Sequence, residues 1–280
     1  MRRMRRRVGG EKARLAQSLG RGLHILEAFT REAPELGVTE LGVRLGLAKS
    51  TVHRLLATLQ ARGYVRKNPR PGKYRLGTRA WEVGCIAAGQ LGSREASRAS
   101  LERLAREAAE TAHLAILDGA EVVYLDRVDG AGPAHAEAPL GGRVPAHAVS
   151  AGRALLAFLD PEALRKVLAR GLRRFTPATV ADEVKLREEL EAVRGTGYAV
   201  AIGEWRAEVG SVSAPVRDGS GEATLAVGVS AATTALLPER IEALAALVRA
   251  VAGRLSRELG FPGDVPAGAG PDSAGGPARA

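Results

Sequence analysis

Apolar residues in the first third of the chain recur at helical spacing. In SLGRGLHIL the leucines stand at i, i+4 and i+7, which predicts a helix with Ser18 as its N-cap. In TELGVRLG two leucines lie one turn apart, which predicts a second short helix, capped by Thr39 and ended by Gly46. A third helix is predicted over residues 49–62, and Gly63 ends it.

The stretch that follows, YVRKNPRPGKYRLG, has a different pattern. Two short β-prone pieces flank a Pro/Gly turn, which predicts a small hairpin. Three helices and a hairpin therefore occupy residues 18–77. Residues 78–93 return to a helical pattern that glycines interrupt, which is typical of a helix connecting two domains.

The rest of the chain alternates between helical and strand patterns. The segment SREASRASLERLAREAAET predicts an amphipathic helix over residues 93–111, with Leu101, Leu104 and Ala108 facing inward. Further strands are predicted at 113–118, 121–128, 198–202, 209–217 and 222–231, and further helices at 151–159, 161–170, 182–195 and 238–259. Because the strands are grouped apart from the helices and joined by hairpin turns, the pattern favours an α+β domain with an antiparallel sheet over residues 94–261.

Length and composition fit this division into two domains. At 280 residues the chain exceeds the usual domain size, and a 45% share of hydrophobic residues excludes a wholly disordered protein. Only the arginine-rich residues 1–17 and the Gly/Pro-rich residues 262–280 are predicted to be disordered.

Charge is divided unevenly between the two predicted domains. The whole chain carries +10, but residues 1–80 hold 19 Lys and Arg against 5 Asp and Glu, a net charge of +14. The remaining 200 residues carry a net charge of −4. This excess predicts that the N-terminal domain meets a polyanion such as nucleic acid.

Several classes of protein are disfavoured by the composition. No apolar stretch approaches the roughly 20 residues that span a bilayer, so no membrane partner is predicted. No apolar segment follows the basic N-terminus, as a secretory signal would require, and we expect a cytoplasmic protein. Cys85 is the only cysteine, which excludes an internal disulfide and a multi-thiolate metal site. The five histidines show no ligand-like spacing, so neither a metal nor a cofactor is predicted.

The third predicted helix has one apolar and one polar face. The apolar stripe is formed by Val52, Leu55, Leu56 and Leu59. At 100° per residue, Ser50, Arg54 and Thr58 fall on the opposite side, with Thr51 beside them. Such a helix fits the major groove of B-DNA, where Arg54 can bond a guanine edge and the residues at the helix N-terminus can meet phosphate.

Basic side chains then load the hairpin, as expected of a wing that lies along the phosphate backbone. The predicted DNA contacts are Thr39, Lys49, Ser50, Thr51, Arg54, Arg66, Lys67, Arg70, Lys73 and Arg75. For a lone amphipathic helix, a merely solvated outer face would be the better interpretation. Here the helix spacing, the basic hairpin and the charge coincide and favour DNA. The N-terminal arginines are equally compatible with a minor-groove arm and a solvated tail.

A protein that binds single strands without regard to sequence is a separate hypothesis. It would combine charge with aromatic residues for base stacking, whereas aromatics are only 4% of this chain. The composition therefore favours a reader of duplex DNA.

The segments SLGRGLHILEAF, TELGVRLGLAKSTVHRLLATLQARGYV and KYRLG resemble the winged helix-turn-helix domain of the IclR family of bacterial transcriptional regulators. The resemblance continues, in order and spacing, through HLAILDGAEVVYLDRVDG, GGRVPAHAVSAGRALLAFL, GLRRFTPATV, GYAVA and VGSVSAPVRDGSGEATLAVGVS. It covers about residues 18–260. It implies a linker helix, a GAF-like effector-binding domain, a homodimer or dimer of dimers, and a pseudopalindromic operator.

The same resemblance implies a pocket for a small effector molecule. Its residues are Val144, His147, Ser150 and Ala151 in VPAHAVSAG, Glu204, Ser211 in VGSVSAP, and Gly228 and Ser230 in LAVGVSA. Gly228 and Ser230 lie two apart and therefore on one face of a strand. Ser211 stands where the family often has cysteine.

This chain departs from the family pattern at two places in the implied pocket. Relatives often carry two acidic residues where Ala201 and Ile202 stand, and often carry serine where Gly228 stands. Fewer polar groups predict a ligand larger or less polar than a two- or three-carbon acid. The expected effector is therefore a small organic acid or an aromatic metabolite.

Two questions of function stay open at this level. The resemblance implies a regulator that is more often a repressor than an activator. A hydrolase using His147, Ser150 and Asp126 is a distant alternative, because HAVSAG lacks the first glycine of a G-x-S-x-G elbow. His147 is better interpreted as a hydrogen-bonded structural histidine, and Cys85 as a packed residue.

Overall fold

The computed structural model describes residues 16–90, 94–131 and 135–262, which form two compact units divided after Gln90. The predicted disordered arm and tail lie outside the described residues, apart from residues 16–17 and 262. The first unit contains α1 (Gln17–Glu27), α2 (Val38–Leu45), α3 (Lys49–Ala61), β1 (Val65–Lys67), β2 (Tyr74–Leu76) and α4 (Thr78–Gln90). The predicted connecting helix is thus described to Gln90, and its last three residues lie outside the described part.

The core of the first unit is small and apolar. Ile25, Leu41, Val52 and Leu56 are fully buried and join α1, α2 and α3. The predicted stripe of α3 is confirmed, since Val52 and Leu56 face the core and the other two leucines of the stripe are half-buried. This packing fixes which side of α3 faces solvent.

Two predicted helix caps are wrong. α1 begins at Gln17 rather than after Ser18, and its N-cap position gives no side-chain hydrogen bond. α2 begins at Val38 rather than after Thr39, because the Glu40 carboxylate accepts the Gly37 N–H at 2.6 Å and so moves the cap two residues earlier. Gly46 does end α2, in the left-handed conformation at φ 63°.

The second unit contains eleven α-helices and β-strands within its described residues. They are α5 (Arg94–Ala108), β3 (Thr111–Asp118), β4 (Glu121–Val128), β5 (Arg143–Pro145), α6 (Ser150–Leu156), α7 (Pro161–Leu168), α8 (Glu183–Thr196), β6 (Ala199–Ile202), β7 (Val209–Arg217), β8 (Ala223–Ala232) and α9 (Pro238–Glu258). The strands form one antiparallel sheet in the order β5-β4-β3-β8-β7-β6. The predicted α+β class is confirmed.

Two local predictions in this unit need correction. The helix expected to reach Thr111 ends at Ala108, because Ala109 takes a left-handed backbone at φ 55° and Thr111 already belongs to β3. β5 was not predicted, since a strand of three residues shows too little alternation to be recognised.

Each face of the sheet packs against its own helices. On one face α5 and α9 bury residues such as Leu104 and Leu244. On the other, α6, α7 and α8 bury residues such as Leu155 and Leu190. Because side chains alternate along β7, Val212 points to the face covered by α5 and α9. The neighbouring Ser211 and Ser213 point to the face covered by α6, α7 and α8, where the candidate ligand site lies. No helix among the described residues is long and apolar enough to cross a membrane.

Candidate functional site

The outer face of α3 presents a short polar surface. Ser50, Arg54 and Thr58 are exposed, Thr51 is half-buried beside them, and Val52 lies fully buried behind. The Thr58 hydroxyl donates to the Arg54 carbonyl at 3.2 Å. Within the described residues the Arg54 guanidinium has no acidic partner, so it is free to bond an outside acceptor.

The N-terminus of α3 offers backbone donors. Ala48 occupies the N-cap position and supplies no side-chain acceptor. The free N–H groups of the first turn are therefore left for another acceptor, and a phosphate oxygen suits them. Lys49 and Ser50, both exposed, stand at this end of the helix.

The hairpin places like charges side by side. Arg66 and Arg75 are directly opposite each other in the β1–β2 register, and both are exposed. Like charges at facing positions destabilise a hairpin, and a bound polyanion offsets that repulsion. Lys67 lies 5.8 Å from the centre of the Tyr74 ring, and Arg70 is exposed at the turn. This arrangement is that of a phosphate-binding surface.

Lys73 differs from the other basic residues of the hairpin. Its Nζ lies 2.8 Å from Oε1 of Glu40, so it ties the hairpin to α2. Hydrogen bonds from Lys73 and from the Gly37 N–H lower the pKa of the Glu40 carboxyl. Part of the charge of Lys73 is thus neutralised within the protein. Thr39, beside Glu40, is exposed.

In the second unit the structure divides the predicted effector residues into two groups. The first group lies on the sheet face that packs against α6, α7 and α8. It consists of four buried residues, Ser150 at the start of α6 and Ser211, Gly228 and Ser230 on the strands. Val144 and Ala151 belong to the apolar packing around them. His147 and Glu204 are bonded elsewhere, in a neighbouring cluster around Arg153.

A chain of hydroxyls forms the centre of the first group. The Ser150 Oγ lies 2.7 Å from both the Ser211 Oγ and the Ser213 Oγ. The Ser150 backbone N–H, at the start of α6, also points at the Ser211 Oγ at 3.4 Å. The start of α6 and strand β7 thus converge on one small polar site.

His113 extends this chain. Its Nε2 lies 3.2 Å from the Ser213 Oγ, and its Nδ1 lies 3.2 Å from the Ser230 Oγ. Burial lowers the pKa of His113 to about 3, so the ring is neutral and has one donor and one acceptor nitrogen. The ring of Tyr124 stands edge-on to it at 5.2 Å.

A buried acid closes the chain at the other end. Oε1 of Glu137 accepts from the Ser211 hydroxyl at 2.6 Å, and Oε2 accepts from the Tyr124 hydroxyl. The Glu137 carbonyl accepts from the indole N–H of Trp205 at 3.0 Å. Burial raises the pKa of the Glu137 carboxyl, while the hydrogen bonds from Ser211 and Tyr124 oppose that rise.

Gly228 leaves no open space in the site. A Cβ at this position would lie 2.1 Å from the Ser213 Oγ, 2.6 Å from the Val212 carbonyl and 2.7 Å from the His113 Nε2. The space that a serine side chain would occupy is therefore already filled by polar groups. The expected shortage of polar groups, from which a larger or less polar ligand was predicted, is therefore wrong, because Ser213 and His113 line this position and Glu137 adds an acid that was not anticipated.

Arg153 organises the second group. Its guanidinium binds Oε2 of Glu189 at 2.6 Å and also Oε2 of Glu204, and its Nε donates to the His147 carbonyl at 2.9 Å. Glu204 accepts in addition from the Val180 N–H at 3.1 Å. Oε2 of Glu204 thus holds the fold around Arg153 rather than joining the serine group.

His147 is engaged in the same way. Its Nε2 lies 2.9 Å from the Arg173 carbonyl, and burial lowers its pKa. Its ring packs 5.9 Å from that of Phe175. A donor role toward a carbonyl is that of the structural histidine expected from the sequence.

A cavity of about 400 Å³ lies against this second group. It opens between α8 and β6, and its walls include Arg153, Val180, Glu189, Val200 and Glu204. This volume suits a small organic molecule. Burial raises the pKa of Glu189, which stands on its wall.

The residues imagined as a catalytic triad do not meet. Ser150 bonds other serines, His147 bonds a carbonyl, and Asp126 accepts from Arg98 at 2.9 Å. Among the described residues no group of three His, Cys, Asp or Glu side chains could hold a metal.

Several residues of this site were missed from the sequence. Alternation along the strands indicates two of them. Ser213 is two residues from Ser211 and therefore lies on the same face of β7, and His113 pairs with Gly228 on the neighbouring strand. Glu137 gave no such signal, because it lies outside any helix or strand.

Comparison with known proteins identifies both units. Residues 18–69 match the family model described as the IclR helix-turn-helix domain, and residues 86–257 match that of the bacterial transcriptional regulator IclR C-terminal domain. The chain is 36% identical to the HTH-type transcriptional regulator XynR of Escherichia coli K12, over 89% of this chain and 99% of that protein. It is 33% identical to the transcriptional repressor IclR of the same strain, over 83% and 86% of the two chains.

Solved structures agree with the sequence matches. An IclR homologue from Microbacterium hydrocarbonoxydans, complexed with 4-hydroxybenzoate, has a TM-score of 0.77 and 28% identity over 86% of this chain and 98% of that one. The Thermotoga maritima IclR has a TM-score of 0.72 and 26% identity over 88% and 99% of the chains. These proteins are transcriptional regulators rather than enzymes. With both domains matched in order, the chain belongs to the IclR family of bacterial transcriptional regulators.

Proposed function

We propose that this protein is a cytoplasmic repressor that binds a pseudopalindromic DNA operator through α3 and the hairpin. The observation that carries the proposal is the exposed Arg54, which has no acidic partner in the described part of the chain and lies on α3 opposite the buried Val52 and Leu56. The facing arginines of the hairpin support it, since they gain from a phosphate backbone. Relatives such as the transcriptional repressor IclR and the HTH-type transcriptional repressor AllR carry the word repressor in their names, which favours repression as the output.

A second copy of the chain completes the DNA-binding surface in this proposal. One recognition helix reads too few base pairs for a specific site, and a two-fold operator requires a dimer. Apolar side chains support self-association in the first unit, because Leu19 on α1 and Trp81 and Ile86 on α4 are more than 60% exposed. Helix surfaces of this kind are buried when two copies pair.

A small organic acid or aromatic metabolite is the proposed effector. The serine group around Ser150 and Ser211 is its proposed site, supported by hydroxyl donors next to the first turn of α6. The homologue complexed with 4-hydroxybenzoate supports this class of ligand. Binding would shift the population of dimer geometries and so change the spacing of the two recognition helices.

Gel shifts on the DNA flanking the gene test the proposal. If binding is specific, the complex with this DNA should persist when random duplex is added as a competitor and the salt concentration is raised. Metabolites that the products of neighbouring genes act on should release the protein from the DNA. Arg54→Ala should lose this specificity. Arg165→Ala, an exposed arginine on α7 of the second unit, is the matched control and should bind as the parent does. Equal affinity for random duplex would overturn the proposal.

A further inference from the structure

Glu137 is a buried acid without a direct cationic partner in the described part of the chain. It is 4% exposed, and its carboxylate accepts from two hydroxyls, those of Ser211 and Tyr124, whereas the indole N–H of Trp205 donates to its backbone carbonyl. The nearby Arg153 is bonded to two other acids, Glu189 and Glu204. A buried carboxylate in such a setting depends on hydrogen-bond donors for its stabilisation.

The donors around Glu137 all point toward it. A carboxylate only accepts, so Ser211 must give its single proton to Oε1. Ser150 then donates to Ser211, Ser213 donates to Ser150, and the His113 Nε2–H donates to Ser213. The other nitrogen of His113 accepts from Ser230. Every hydroxyl proton of the chain is thus directed to one terminal acceptor, and Glu137 fills that place.

We propose that Glu137 is an internal carboxylate that competes with the effector, and that an acid effector binds by replacing it on Ser211 and Tyr124. This rests on the proposed function of the serine group as the effector site. Two ionised carboxylates on one set of donors repel strongly in a buried site, so the charged forms of Glu137 and of the effector exclude each other. Glu137 lies in an irregular segment rather than in a helix or strand, so moving it breaks no hydrogen bond of a helix or of the sheet.

The proposal fixes the sign of two substitutions. Ser211→Ala removes a donor that the effector needs and weakens binding. Glu137→Ala removes the competitor and strengthens the binding of acids. A residue that simply contacts the ligand would behave in the opposite way, since its removal would weaken binding. The sign therefore separates a competitor from a ligand contact.

Calorimetric titration of the full chain in a chloride buffer provides the test. The probes are acetate, benzoate and 4-hydroxybenzoate, with benzamide as an uncharged control. Glu137→Ala should bind at least one of the carboxylates about tenfold or more tightly than the parent, the equivalent of one hydrogen bond to a charged group, with benzamide unchanged. Glu137→Gln keeps the side-chain volume and should show a smaller gain. The double variant Glu137→Ala/Ser211→Ala should lose the gain.

Equal or weaker binding of all three carboxylates by both Glu137 variants would overturn the proposal, provided their thermal melts remain cooperative. Gel shifts on the same variants keep the two proposals distinguishable. Variants that still bind operator but show no gain for acids reject the internal carboxylate alone. If the Glu137 variants bind acids more tightly but neither they nor the parent bind operator, the regulator proposal is rejected. The replacement of the Glu137 carboxylate by an acid ligand remains supported in that case.

Discussion

The Nε2 of His113 and the hydroxyl of Ser213 meet at 3.2 Å directly across the backbone of Gly228. The three residues form one row on adjacent strands, since Gly228 pairs with His113 on one side and with Ser213 on the other. In a sheet, side chains in such a row stand next to one another. The outer two can touch here only because the middle residue has no side chain.

Gly228→Ala should therefore destabilise the second unit by about 1–3 kcal/mol, the usual cost of overpacking. The new methyl would lie 2.6 Å from the Val212 carbonyl, which belongs to the backbone and cannot swing away. Urea denaturation measures the change in the free energy of unfolding. The matched control is Gly195→Ala on α8, where a Cβ meets nothing within 4 Å and should be neutral or slightly stabilising. Equal stability of the two variants would contradict the prediction.

Acid should destabilise the protein through His113. Its pKa is about 3 when folded, against 6.5 for a free histidine, so the unfolded chain binds a proton in that interval that the folded chain does not. This contribution is fully present above pH 6.5 and falls by about 1.4 kcal/mol for each pH unit below it. The stability difference between the parent and His113→Gln isolates the effect, because the other titrating groups, including Glu137, are common to both. A difference independent of pH from 4 to 7 would contradict it.

DNA binding should depend on Arg54 and on the hairpin arginines in different ways. Arg54→Ala should weaken operator binding by about 1–3 kcal/mol and change the base preference at one position. Arg66→Ala should weaken binding to all duplexes alike and reduce the slope of log K against log salt by about one. Binding isotherms on operator and random DNA at several salt concentrations distinguish the two. An unchanged base preference for Arg54→Ala would show that another residue reads the bases.

Lys73 provides a finer comparison within the hairpin. Because Lys73 is paired with Glu40, Lys73→Ala should reduce the salt slope less than Arg66→Ala does. It also releases a link between the hairpin and α2. Equal slopes for the two variants, measured on random duplex, would show that Lys73 leaves Glu40 to bind phosphate.

The local sequence predicts which segments of this fold are helices and strands better than it predicts the residues at which they begin and end. The stripe on α3 and the alternation along β7 depend only on the period of apolar residues, and both were predictable. Caps depend on competition among nearby acceptors, and at α2 the Glu40 side chain prevails over Thr39. A three-residue strand such as β5 is decided by its partner strand rather than by its own residues.

The candidate ligand site was only half predictable, for a similar reason. Ser150, Ser211 and Ser230 were identified from the family resemblance, and the structure brings them together. Glu137 is placed by tertiary contacts with Tyr124 and Ser211, which no spacing in the sequence expresses. An acid in an irregular segment is usually exposed, so its burial could not be inferred from its neighbours.

Arg153 should prove essential to the stability of the second unit. It is 2% exposed and neutralises Glu204 and Glu189 while donating to the His147 carbonyl. Arg153→Met would leave two acids near each other without their cation, which typically costs about 3–5 kcal/mol. Urea denaturation followed by near-UV circular dichroism measures the loss. The control, Arg187→Met, breaks an exposed pair with Glu183 on α8 and should cost less than about 1 kcal/mol.

A double variant separates the ion pair from simple packing. If the cost of Arg153→Met comes from stranded carboxylates, adding Glu204→Gln should restore part of the lost stability, because one uncompensated charge is removed. If the cost comes from lost packing, the second substitution should add its own cost instead. A double variant less stable than Arg153→Met alone would show that Arg153 acts by filling space rather than by neutralising Glu204.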